Sequence, residues 1–198
     1  MSPQRTSRNP RGCFIVLEGP EGCGKTTHAR LLCAALRARG VACTLTREPG
    51  GTQVAEMVRR IILSPKVRVC PLAELLLYEA ARAQHVVEVI RPSLDRGDVV
   101  VSDRFTDASL VYQGYGRGIP QRTIRRLNDI ATGGLKPDLT IFLDVDPAIG
   151  LGRVARRRRG ADRMEREPLD FHRMIREGYR KLSRRENIAI INLSLIHI

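Results

Sequence analysis

GPEGCGKT, residues 19–26, follows the apolar run of residues 13–17 and leads into the helical pattern HARLLCAALRARG. The spacing G-x-x-x-x-G-K-T is that of a phosphate-binding loop (P-loop), where glycines let several backbone N–H groups turn inward around a phosphate chain. Gly19, Pro20, Glu21, Gly22, Cys23 and Gly24 are therefore expected to wrap the phosphates of a nucleotide. Lys25 is placed to reach the outer phosphates, and Thr26 to offer a hydroxyl to magnesium. A chance glycine-rich turn would not have a strand before it and a helix after it.

Outward from this loop, apolar runs and helical spacings alternate along all 198 residues. That pattern predicts an α/β fold, a five-stranded parallel sheet with helices on both faces. Strands are expected at residues 13–18, 41–46, 99–102, 139–145 and 188–191. Helices are expected at 25–39, 52–63, 72–96 with an interruption near Pro92, 106–112, 121–131, from 147 into an arginine run, and 169–185. The length suits one domain, residues 12–192, preceded by a polar, basic and mobile extension over 1–11.

Composition removes several classes. There is no run of about 18 apolar residues for a membrane span, and residues 1–11 lack the apolar segment of a secretory signal, which points to the cytoplasm. Cys13, Cys23, Cys33, Cys43 and Cys70 form no C-x-x-C pair and have no histidine at metal spacing, so they read as small core residues rather than a zinc site or disulfide framework. Cys23 is a special case because it lies in the phosphate loop near Lys25. The formal charge of +13 invites a nucleic-acid partner, but the densest arginine cluster, residues 153–166, has no interleaved aromatics for base stacking. Phosphate binding fits it better than base reading.

In an open parallel sheet, ligands bind beyond the carboxyl ends of the strands. Four strand ends here are polar: the P-loop, TREPGGT at 46–52, SDRF at 102–105, and Asp144. Arg104 is the candidate to grip an acceptor phosphate with its fork of donors. Asp103 is expected either to order magnesium through water or to orient Arg104. Tyr78 and Arg82, four residues apart on a helix, share one face. Glu21 would repel a triphosphate and so should face something else.

The set of motifs resembles the thymidylate kinase family of nucleoside monophosphate kinases. It is carried by the P-loop with its acid, TREPGGT, LLLYEAAR at 75–82, DRFTDASLVYQGYGRG at 103–118, PDLTIFLDV at 137–145, and ADRMEREPLDFHRMIREGYR at 161–180. The resemblance implies a P-loop NTPase fold with a small arginine-rich lid near 152–168, and transfer of the ATP γ-phosphoryl group to dTMP, giving dTDP, with Mg2+. It implies that Arg82 bonds the thymine carbonyl, that Tyr78 stacks on the base where phenylalanine is usual, and that Glu21 meets the sugar 3′-hydroxyl. Glu48, Ser109, Tyr112 and Gln113 belong to the same implied acceptor site, and Glu48–Pro49 to a cis peptide. Ser109 follows Ala108, which stands where the family has serine.

Some family members carry an arginine in the P-loop, and here Gly22 occupies that position. The transition-state cation is then expected from the lid, with Arg163 the first choice and Arg158 the second. The resemblance also implies a homodimer through residues 72–96. Residues 193–198, LSLIHI, stand where the family continues into a closing helix and are expected to be a non-native, adaptor-derived tail. The competing functions are a kinase for another nucleoside monophosphate, a nucleic-acid-dependent P-loop ATPase, and a nucleotide-binding module without catalysis.

Overall fold

The computed structural model describes residues 11–157 and 160–193. Five parallel strands run in the spatial order β2-β3-β1-β4-β5: β1 (Phe14–Glu18), β2 (Cys43–Arg47), β3 (Val99–Asp103), β4 (Leu139–Asp144) and β5 (Ile188–Asn192). β1 lies centrally and pairs with β3 through Leu17↔Asp103 and with β4 through Glu18↔Phe142. All strand ends therefore share one rim, with the P-loop at its middle.

Alternation along the strands divides the core. Phe142 of β4 packs toward Tyr112, Phe171 and Tyr179 on one face. Leu17 and Leu143 pack with Ala29 and Cys33 of α1 (Lys25–Ala38) on the other. Local chemistry starts the helices that border the rim. The Thr52 hydroxyl accepts from Ala55 N–H to cap α2 (Gln53–Leu63), and Asp146 caps α7 (Pro147–Ala155) through Ala148 N–H.

The long helical stretch expected over 72–96 is α3 (Pro71–His85), one π-helical turn at Val86–Ile90, and α4 (Arg91–Asp95). Its regular winding widens ahead of Pro92, whose ring would otherwise crowd the preceding turn. α5 (Thr106–Ser109) likewise runs into a π-helical turn at Leu110–Gly116, which carries Tyr112 and Gln113. α6 (Gln121–Thr132) and α8 (Leu169–Leu182) complete the layers. No described helix is long and apolar enough to cross a membrane.

Two expectations about cysteine are corrected. Cys33 and Cys43 form a disulfide, their Cα atoms 5.8 Å apart, because α1 folds back to deliver β2 beside it. A ten-residue spacing carries no sign of that reversal. Cys70 is exposed just before α3 and Cys13 is half-buried, so neither is a core residue. The expected extension and tail lie outside the described residues, except Arg11 and Leu193.

Candidate active site

The P-loop closes on itself around Lys25. This lysine is buried, and its Nζ donates to the Gly19 and Pro20 carbonyls at 2.9 Å each, with Cys23 Sγ at 3.5 Å. Gly22 adopts φ +69°, and a Cβ there would come within 2.0 Å of the Gly150 carbonyl in α7. An arginine at this position would be strained in its backbone and would have no room for its Cβ. Thr26, the second residue of α1, donates its hydroxyl to the Asp103 carboxylate at the end of β3. A hydroxyl and a carboxylate side by side at the loop are the hard oxygen donors that Mg2+ takes together with substrate phosphates. Asp103 thus accepts from Thr26, whereas the Arg104 guanidinium pairs with Glu21.

Arg104 has φ +79°, the one non-glycine residue at positive φ among the described residues. Its guanidinium pairs with Glu21 and lies 5.0 Å from the Tyr112 ring centre. Glu21 also accepts from the Tyr112 hydroxyl at 2.9 Å. Burial by itself would raise the Glu21 pKa, but the Arg104 and Lys25 charges and the Tyr112 bond hold it down at about 2. The side chain of the P-loop acid therefore faces Arg104 and Tyr112.

The cavity wall beyond Arg104 is a buried polar network. Arg82, 2% exposed, donates to Glu48 at 2.8 Å, Glu79 at 2.6 Å, Asn128 at 2.8 Å, Ser109 Oγ at 3.0 Å and the Phe105 carbonyl at 3.1 Å. Glu48 also meets His85 Nδ1 at 3.0 Å, and the Glu48–Pro49 peptide is cis. Tyr78, Ser109 and Gln113 line the same cavity as the P-loop and Arg104. Gln113 is aimed by Glu74, to which its amide nitrogen donates at 2.8 Å. Sequence reading missed Arg59, which lines this cavity and donates to the Pro49 carbonyl at 2.8 Å. Nothing in its α2 setting distinguishes it from its neighbour Arg60. Glu74, Asn128 and His85 were missed for the same reason: their roles come from distant partners.

Two arginines of the segment expected to form a lid, Arg157 and Arg163, differ in placement. Arg157 lines the cavity and bridges to Glu165 at 3.1 Å. Arg163 does not line it; its Nη1 pairs with Glu74 at 2.7 Å and its Nε donates to the Ile62 carbonyl at 2.7 Å. The first-choice lid cation is thus turned onto α2 and α3, because the fully buried Glu74 carboxylate attracts it there. Arg158, the second choice, lies outside the described residues.

A phosphate loop and a second cationic wall facing one cleft, at the centre of a parallel sheet, define a P-loop phosphotransferase fold. The thymidylate kinase family model matches residues 17–196. The thymidylate kinase of Deinococcus radiodurans is 53% identical over 176 residues, covering 89% of this chain and 85% of the relative. That of Synechococcus sp. is 51% identical over 181 residues, covering 91% and 85%. The crystal structure of thymidylate kinase from Ehrlichia chaffeensis superposes with a TM-score of 0.76 at 34% identity, covering 95% of this chain and 92% of that one. The chain belongs to the thymidylate kinase family.

Proposed function

We propose that this chain catalyses the reaction of its family, transfer of the γ-phosphoryl group of ATP to dTMP, giving dTDP. The observation that carries this reading is the convergence of Lys25, Glu21 and Arg104 on one cleft, with Arg104 paired to the P-loop acid. Phosphoryl transfer between two anions needs in-line positioning and charge neutralisation more than covalent chemistry. Lys25 leaves the Gly19 and Pro20 carbonyls to bind the donor phosphates. Arg104 leaves Glu21 to grip the acceptor phosphate, which frees the Glu21 carboxylate for the sugar 3′-hydroxyl. Thr26 and Asp103 would hold Mg2+, which neutralises charge on the donor phosphates when bound.

Tyr78 stacks on the thymine, with Arg82 and Gln113 at the base edge. Arg157 takes the place first given to Arg163 as the lid cation, since it faces the cleft. A coupled assay across dTMP, dUMP, CMP and AMP tests the acceptor, and preference for any other than dTMP overturns the reading. Arg104→Ala should lower kcat/KM for dTMP at least a hundredfold while leaving the KM for ATP within about twofold.

The homodimer is proposed on the apolar side chains left exposed along α2 and α3, among them Met57, Ile61, Leu72 and Leu76, with Val87 65% exposed beyond them.

A further inference from the structure

Glu18 ends β1 one position before the P-loop and is 1% exposed. A carboxylate in a buried strand is tolerated only when its oxygens are satisfied. Here Oε1 accepts from the Phe105 N–H at 2.8 Å and the Ala108 N–H at 3.3 Å, while Oε2 accepts from the Tyr179 hydroxyl at 2.7 Å. Phe105 is the N-cap residue of α5 and its own side chain makes no capping bond. Glu18 therefore does, from a different strand, what a capping side chain ordinarily does for the first turn of a helix.

The preceding residue is held by the same strand. Arg104 N–H donates to the Leu17 carbonyl at 2.9 Å, and the Ser102 hydroxyl donates to the Arg104 carbonyl at 2.9 Å. A non-glycine residue at positive φ persists only where its surroundings over-determine it. Consecutive β1 residues supply that restraint, Leu17 on the Arg104 amide and Glu18 on the next. Tyr179, which anchors the far carboxylate oxygen, is itself fixed by stacking on Phe142 at 5.3 Å between ring centres. Glu18 does not line the cleft that holds Arg104.

We propose that Glu18 is a positioning residue for phosphoryl transfer: through the Phe105 and Ala108 amides it fixes the Arg104 turn against the P-loop, setting the spacing between acceptor and donor phosphates. This rests on the reading of Arg104 as the acceptor-phosphate cation. The test is a kinetic cycle of Glu18→Met, Arg104→Ala and the double variant, with Glu18→Gln as the conservative control.

Glu18→Met, which removes both acceptor oxygens, should lower kcat/KM for dTMP about tenfold or more with the KM for ATP within about twofold. Glu18→Gln keeps one oxygen for the two amides and should recover to within about threefold of the unmodified enzyme. In the Arg104→Ala background Glu18→Met should add less than about twofold, because its effect passes through Arg104. Additive losses, or Glu18→Met with unchanged acceptor kinetics, overturn the proposal. Arg104→Ala with dTMP kinetics intact would instead overturn the reading of Arg104. Should Glu18→Met not fold, Glu18→Asp, whose carboxylate is one methylene short of the amides, carries the same cycle under the same criteria.

Discussion

Glu18 and Glu21 lie three residues apart on either side of Gly19, and their surroundings move their acidities in opposite directions. Burial, then the neighbouring Asp107 charge, pushes Glu18 from 4.5 up to about 7, against the bonds from Tyr179 and Phe105. The folded state thus binds the Glu18 proton more tightly than the unfolded chain. The contribution of that proton to stability is full below about 4.5 and is lost as pH rises through about 7. Glu18→Gln escapes the loss, so its melting temperature relative to the unmodified protein should improve between pH 5 and pH 8, by up to roughly 3 kcal/mol in free energy. An unchanged difference across that range would show that Glu18 does not titrate there. Glu21 is the reverse case: its folded pKa of about 2 lies below the ordinary 4.5, so its contribution is full above 4.5 and is lost as pH falls through 2. Glu21→Gln should therefore cost more stability at pH 7 than at pH 3, read by denaturant titration at the two values.

At the scale of elements, the segment proposed as a lid is fastened by one arginine, while another lines the cleft. Arg163 joins the segment to the end of α2 through the Ile62 carbonyl and to α3 through Glu74. Glu74, fully buried, also receives Arg117 and Gln113, so the Arg163 anchor and the cavity-lining Gln113 share a carboxylate. Arg163→Met should cost on the order of 2 kcal/mol, since it removes a charged hydrogen-bond partner from a buried acid that keeps its others. Amide exchange over residues 160–168 should quicken, with kcat falling less than about tenfold. Arg157→Met, by contrast, should lower kcat more than about tenfold with little change in melting temperature. If the two variants exchange these behaviours, the cleft-facing role belongs to Arg163.

At the scale of the molecule, the shared rim brings the P-loop and Arg104 to one cleft, and the helices that wall it leave apolar side chains exposed outside. On α2 and α3 that face carries Met57, Ile61, Leu72 and Leu76, all about half exposed. Leu76→Arg should convert a dimer to a monomer in size-exclusion chromatography with light scattering, with the cleft residues untouched. A chain that is already monomeric at micromolar concentration would exclude this face as a homodimer contact.

Much of this was present in the linear order of residues. The P-loop spacing, the alternation of apolar runs with helical periods, and the polar residues after each strand determined a parallel sheet and the rim where chemistry sits, because period and turn chemistry are local properties. The buried acids are a half-legible case: Glu18 breaks an otherwise apolar strand, which signals a partner without naming it. Which arginine faces the cleft, what Glu74 and Glu18 hold, and the pairing of Cys33 with Cys43 were decided only by the tertiary structure. Each depends on groups brought together from distant segments, Glu18 with Tyr179 across 161 residues for one, and no local pattern records where such charges and hydrogen bonds meet.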